Sequence, residues 1–237
     1  MLSSDRHAAE GEIEQAQNRR APVGIIMLDT QFPRIKGDIG SPESYAEAPL
    51  FKVAKGVRVS DIVRPERASE DSINALFEAA RSLTSQGAVA LATSCGFLHG
   101  LQNELTAVAG VPVAASSLSL TTRLAQRRYK IGLLTADAPA LTPALRGIKV
   151  PFLVEGLETS EAFASAILAD GKTLDRDQIE EDAVSSAMRA QSRGATCILL
   201  ECTNLPPYRT AIEEATGLPV FDIFDALESV SGLRVRA

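Results

Sequence analysis

GAVALATSCGFLHGLQNELTAVAGVPVAAS, residues 87–116, and GATCILLECTNLPPYRTAIEEATGLPVFDI, residues 194–223, are two copies of one pattern. Gly87 stands eight residues before Cys95, and Gly194 stands eight before Cys202. Gly110 and Pro112 follow the first cysteine at the same intervals at which Gly217 and Pro219 follow the second. Leu98 matches Leu205, Leu105 matches Ile212 and Val113 matches Val220, with no gap. Self-similarity of this kind marks a duplicated structural unit. Upstream, Gly24 precedes Cys95 by seventy-one residues and Gly132 precedes Cys202 by seventy, so the repeat extends over nearly half the chain.

Each copy reads as strand, cysteine, helix, strand. The apolar runs AVALA and CILL sit between turn signals and are too short for helices, so they read as buried parallel strands. The later Gly-x-Pro-Val stops a helix and opens the next strand. Each thiol thus falls at the carboxyl end of a parallel strand, where a helix is expected to begin. Open α/β sheets bind ligands at that edge. A helix N-terminus there would lower the thiol pKa and hold an anion on free N–H groups.

Working outward, PVGIIML (residues 22–28) reads as the first buried strand. Residues 29–49 read as a long Gly/Pro-rich loop placed to cover a site and expected to move as a lid. Residues 50–59 read as a strand with its exit, 66–86 and 117–128 as helices, and 130–136 as a buried strand. In the second unit, 137–147 read as a Pro-interrupted helix, 149–156 as a strand, and 157–169 and 176–193 as helices. A closing helix and tail follow Ile223. The fold expected is α/β: two pseudo-symmetric domains, each a mainly parallel sheet flanked by helices, with the active site in the cleft between them. Residues 1–21 would be a tail. Residues 22–116 with 222–237 would form the first domain, and residues 117–221 the second.

Composition narrows the partners. A formal charge of −6 argues against nucleic acid, whose phosphates need a basic face. No apolar run approaches the length of a membrane span. Residues 1–20 lack the apolar centre of a signal peptide, and three cysteines without an export signal fit a cytoplasmic protein with free thiols. Two histidines leave little material for a metal cluster or a Ser-His-Asp triad. Neither G-x-G-x-x-G nor Cys-x-x-Cys is present, so no cofactor is implied.

Two thiols on opposite walls of a cleft suit inversion of a carbon that bears an acidic C–H. One group removes the proton from one face and the other supplies a proton to the opposite face. The site must also hold an enolate-like charge on fixed donors, for which Ser94, Gly96, Thr203 and Asn204 are candidates. Arg34 in the long loop is a candidate clamp for a small-molecule carboxylate. Asp29, ending the first strand, would orient a thiol or cap the loop. His99 stands one helical turn past Cys95. Cys197, inside a strand run, reads as core packing.

These residues carry a family resemblance covering roughly residues 22–230. LLECTNLPPY followed by GLPVFDI resembles the second-cysteine motif of the cofactor-independent aspartate/glutamate racemase superfamily, which includes hydantoin racemases, maleate isomerases and arylmalonate decarboxylases. The first-cysteine position falls on Cys95. The resemblance implies two pseudo-symmetric α/β domains, acid/base roles for Cys95 and Cys202, and pairing of chains into a homodimer through the first domain. Amino-acid racemases of the family often carry Cys-Asn-Thr at the first site and Cys-Thr-His at the second. Here Phe97 follows Cys95-Gly96, and Asn204 follows Cys202-Thr203. These departures argue against free aspartate or glutamate as substrate and put a hydantoin-like ring or a substituted acid on an equal footing. Racemisation or epimerisation is the activity expected. The alternatives are a decarboxylase or cis-trans isomerase of the same superfamily, and a non-catalytic protein that binds a small acid.

Overall fold

The structure, a computed structural model, describes residues 21–237. The expected tail, apart from Ala21, lies outside the described residues.

Strands β1 (Gly24–Leu28), β2 (Leu50–Ala54), β3 (Leu91–Thr93) and β4 (Val113–Ala114) form an all-parallel sheet in the order β2-β1-β3-β4. Strands β5 (Ile131–Thr135), β6 (Phe152–Gly156), β7 (Cys197–Leu200) and β8 (Val220–Phe221) repeat it as β6-β5-β7-β8. Parallel strands need crossover connections, and the helices that provide them cover the sheet. This explains why β1 and β5 are buried at every residue and read as unbroken apolar runs. Helix Glu70–Ser85 packs Ile73, Leu76, Ala80 and Leu83 into the first half, and helix Arg176–Ser192 packs on β5 and β6. Ser69 and Asp175 cap these helices by accepting the N–H of Ser72 and Gln178.

Side-chain alternation sorts the core. Ile25, Met27 and Ala92 share one apolar cluster with Leu133, Cys197 and Leu199, so one face of each sheet contributes to a common interior. Ile26, Leu28 and Leu91 belong to a cluster of the first half. Leu134, Ile198 and Leu200 belong to one of the second. The closing helix Ile223–Ser231 returns to β3 and β4 of the first sheet.

The duplication is visible in the backbone. Helices Gln102–Ala109 and Arg209–Thr216 both end on a left-handed glycine, Gly110 at φ 67° and Gly217 at φ 66°. A side chain at either would strain the turn.

Several elements differ from the sequence expectation. The first strand of the repeat begins at Leu91, because Ala88 to Ala90 lead the chain out of the preceding turn. The expected helix 117–128 is a tight 3-10 turn, Ser117–Leu120, followed by a short helix, Thr121–Gln126. The expected helix 157–169 starts only at Glu161 and closes in a wide π turn, Ala164–Leu168. Separately from these differences, loop 29–49 makes hydrogen bonds along its length. Ser44 Oγ donates to Asp38 O, Tyr45 Oη donates to Ile39 O, and Ala46 N–H donates to Val235 O. Its first residues reach the other half, where Gln31 N–H donates to Asp170 Oδ1 at 2.7 Å. Among the described residues, no helix is long and apolar enough to cross a membrane.

Candidate active site

The exits of β3 and β7 meet at one narrow cleft. Cys95 and Cys202 both line it, as do Arg34, Ser94, Gly96, Phe97, Thr203 and Asn204. Both thiols are nearly closed off from solvent, at 8% and 5% exposure. Apolar side chains, among them Val59, Val63 and Ile167, form much of the remaining wall.

Hydrogen bonds fix the two thiol-bearing turns against each other. Ser94 N–H donates to Ile26 O, and Ser94 Oγ accepts the Leu28 N–H, pinning the exit of β3 to β1. Thr203 Oγ1 donates to Ser94 O at 2.6 Å, a bond that crosses between the halves. The Thr203 hydroxyl expected to hold substrate is therefore engaged in joining the walls.

Arg34 is held by its own loop. Its Nη1 donates to Asp38 Oδ1 at 2.9 Å, its Nη2 donates to Thr30 Oγ1 at 3.0 Å, and its guanidinium lies over the Phe32 ring. A guanidinium carries five N–H donors, and these two bonds leave others for an anion. Asp38, only 3% exposed, also accepts from Asn204 Nδ2 at 2.7 Å. That bond settles which way the Asn204 amide faces, so its Oδ1 accepts the Cys202 S–H at 3.7 Å.

The thiols do not behave as helix-terminal cysteines. Burial, and next the Glu201 carboxylate, push the Cys95 thiol up to about 12. The same two causes in the same order lift Cys202 well above its ordinary value. The expected lowering fails because no α-helix starts at either thiol. A 3-10 turn, Gly96–Leu101, follows Cys95, and helical turns after Cys202 begin only at Pro206. One N–H per thiol survives of that effect: those of Phe97 and Asn204, two residues on, each favour the thiolate. The surroundings then diverge. Arg34 favours the Cys95 thiolate, whereas Asp38 opposes that of Cys202.

Asp29 does not reach the cleft. Its Oδ2 accepts the Gly56 N–H at 2.9 Å and its Oδ1 pairs with Lys55 at 3.6 Å, so it caps the turn after β2. The Gly56 bond is the main reason its carboxyl is held below its ordinary value. His99 lines a separate open groove with Leu118 and Thr122, and burial lowers its pKa. Cys197 is fully buried in β7, within the common interior.

Two residues of the site escaped the sequence reading. Asp38 lies in a loop without periodicity. Glu201 directly precedes Cys202 and lines the cleft at 0% exposure. Its Oε2 accepts from Thr135 Oγ1 at 2.7 Å, while Oε1 has no partner among the described residues. Burial raises its carboxyl to about 7. A charged residue ending the apolar run CILL was the available signal, since ionised groups are seldom buried without a reason.

A family model described as Asp/Glu/Hydantoin racemase matches residues 41–228. Dimethylsulfoniopropionate lyase of Durusdinium sp. clade D is 27% identical over 219 residues, covering 86% of this chain and 72% of that protein. Dimethylsulfoniopropionate lyase 7 of Emiliania huxleyi (strain CCMP1516) is 30% identical over 227 residues, covering 87% of this chain and 65% of that protein, so this chain spans under two thirds of its length. Among solved structures, unliganded arylmalonate decarboxylase superposes with a TM-score of 0.57 at 15% identity, over 91% of this chain and 93% of that one. At that identity the likeness speaks for the fold.

Proposed function

Because the chain belongs to the Asp/Glu/hydantoin racemase family, we propose that it removes a proton from the carbon next to a carboxylate, with Cys95 as the base and no cofactor. We propose further that the outcome is β-elimination from a sulfonio-carboxylate of the dimethylsulfoniopropionate type. The observation that carries this reading is the inequality of the two thiols. Cys202 donates its S–H to Asn204 Oδ1, and burial, then Glu201, and last the Asp38 charge all oppose its thiolate. Cys95 has Arg34 to favour its thiolate. Interconverting enantiomers calls for two exchangeable bases, but elimination calls for one.

In the proposed step, the Cys95 thiolate takes the α-hydrogen as a proton. The C–H electron pair becomes the new carbon–carbon double bond. The β-carbon–sulfur bond breaks with its electron pair going to sulfur, releasing neutral dimethyl sulfide and leaving acrylate. The leaving group needs no proton, so Cys202 can stay protonated. Uncommitted Arg34 N–H groups would hold the substrate carboxylate and the charge that develops on it. The apolar wall of Val59, Val63 and Ile167 suits methyl groups, and the Phe97 ring suits the sulfonium cation. Two proteins named for this lyase activity are similar to the chain over 86% and 87% of its length, which supports the choice of substrate class.

Racemisation remains the second reading, favoured by the presence of both thiols at one cleft. One experiment separates the two. The protein is incubated with dimethylsulfoniopropionate and dimethyl sulfide is followed by gas chromatography; in parallel, chiral acids and hydantoins are incubated in heavy water and resolved by chiral chromatography. Sulfide release is expected. Deuterium in an inverted enantiomer without sulfide release would replace the lyase with a racemase.

A further inference from the structure

We propose that Glu201 and Cys95 share one negative charge beside a neutral Cys202: Glu201 holds the charge at rest and passes it to Cys95 by accepting the thiol proton. This rests on the reading above that Cys95 is the base.

The placement of the carboxyl carries the proposal. Glu201 is joined by a peptide bond to Cys202, and its side chain packs against Gly96, the residue after Cys95. A β-carbon at Gly96 would collide with Glu201 Oε1 and with the Glu201 carbonyl. The carboxyl thus sits between the two thiol-bearing turns, and its charge is the second cause of the upward shift at both thiols. One oxygen is satisfied by Thr135, while the other is, among the described residues, an acceptor without a donor. Buried acceptors are rarely left so, and an oxygen that takes a proton during the reaction needs to be free. The first half has no counterpart, since Ser94 occupies the equivalent place.

The charge balance follows. An ionised Glu201 beside two neutral thiols gives the site a charge of minus one. Moving a proton from Cys95 to Glu201 breaks one S–H bond and forms one O–H bond, leaving that total unchanged. It also removes the repulsion that had opposed the thiolate. The remaining facing groups are accounted for. Thr135 on β5 donates to the carboxyl, and Arg34 and Asp38 reach in from the loop, acting on Cys95 and Cys202 respectively. Coupled groups titrate as a set, so the first proton lost belongs to the pair. Burial places that loss at about 7, on Glu201.

The test is the Glu201→Gln variant, whose amide oxygen can still accept from Thr135. In the native protein, alkylation of Cys95 by iodoacetamide should rise with pH and level off above about 7, and the acid limb of sulfide release should coincide with it. In the variant the first ionisation is a buried thiol, so both profiles should keep climbing roughly tenfold per pH unit through pH 7 to 9. At pH 7 the two proteins should differ by only about twofold, and by pH 9 the variant, free of the carboxylate's repulsion, should react about 100-fold faster than the native plateau. Infrared spectroscopy should show a protonated-carboxyl band that titrates near pH 7 and disappears in the variant. If the variant fails to fold, Thr135→Val serves instead: losing the donor that stabilises the carboxylate should move the band and the acid limb to higher pH. An alkylation profile unchanged by Glu201→Gln, or a native protein with no protonated-carboxyl band at pH 6, would overturn the proposal. The alkylation and infrared measurements need no substrate, so they decide it even where sulfide release is not found.

Discussion

Position by position, Ser94 precedes the first thiol and Glu201 the second, and Gly96-Phe97 follows the first where Thr203-Asn204 follows the second. The helices that follow the two sites are matched in length and in the glycine angles that end them. The side chains are not matched. The second half brings the carboxyl, the cross-bridging hydroxyl and the amide, while the first half makes room for them with a residue that has no side chain. The same backbone duplication supports a symmetric pair of bases or an asymmetric one, and the neighbours at minus one, plus one and plus two decide which. A repeat therefore specifies where two thiols stand without making them equivalent.

The strongest way to break that comparison is to remove each sulfur. Cys95→Ser should lower kcat/KM for sulfide release about 1,000-fold, within the range for losing a positioned general base. Cys202→Ser should cost far less, about tenfold, because a serine hydroxyl can still donate to Asn204 Oδ1 and no second base is required. Equal losses at the two positions would return the pair to symmetry and favour the racemase.

Glu201 sharpens the comparison through stability. Its folded carboxyl titrates at about 7 against an ordinary 4.5, so the native state holds this proton more tightly than the unfolded chain. The stability this contributes is present at low pH and lost as pH rises from the unfolded value through about 7. Fully developed, the loss is about 3 kcal/mol. Glu201→Gln should escape it, becoming more stable than the native protein above neutrality and losing that advantage in acid. Urea denaturation near pH 5 and pH 8 reads the difference.

Gly96→Ala attacks the accommodation itself. The added methyl group has the Glu201 carbonyl and carboxyl in its way. It should cost about 1–3 kcal/mol, as overpacking does. Combining it with Glu201→Ala should recover part of the loss, because the obstructing carboxyl is gone while the carbonyl remains. Additive costs would mean that the two residues do not share the space.

Much of this was legible from sequence where the signal was local or repeated. Buried parallel strands announce themselves as apolar runs, as β1 and β7 do, and gap-free spacing from Gly87 and Gly194 brought both cysteines to one cleft. The misses share a cause. The helix N-terminus that spacing suggested at each thiol is not formed there, and burial, which spacing cannot show, raises the pKa of both Cys95 and Cys202. Asp29 ends a strand as a ligand-binding residue would, yet the turn at Gly56 claims its carboxylate. Asp38 contacts Asn204 across 166 residues of chain, a pairing that no local pattern encodes. Glu201 alone left a trace, as a lone charge closing an apolar strand.

Cys197 offers the smallest effect and the cleanest control. It lies in the same strand that leads to Cys202, five residues earlier, and like Cys95 its thiol is pushed up to about 12, here by burial alone. What separates it is company: no Arg34, no Glu201 and no cleft, only the common interior with Leu133 and Leu199. Its Ala variant leaves a cavity the size of one sulfur atom and should lose about 1 kcal/mol, read as a lower urea midpoint with an unchanged slope. Sulfide release should be unaffected. Iodoacetamide counting should find the same slow reaction at the two remaining cysteines as in the native protein, with the third site appearing only when the native protein is unfolded. A drop in kcat without a drop in stability would mean that strand depth, rather than the neighbours at the cleft, distinguishes a working thiol from a packing one.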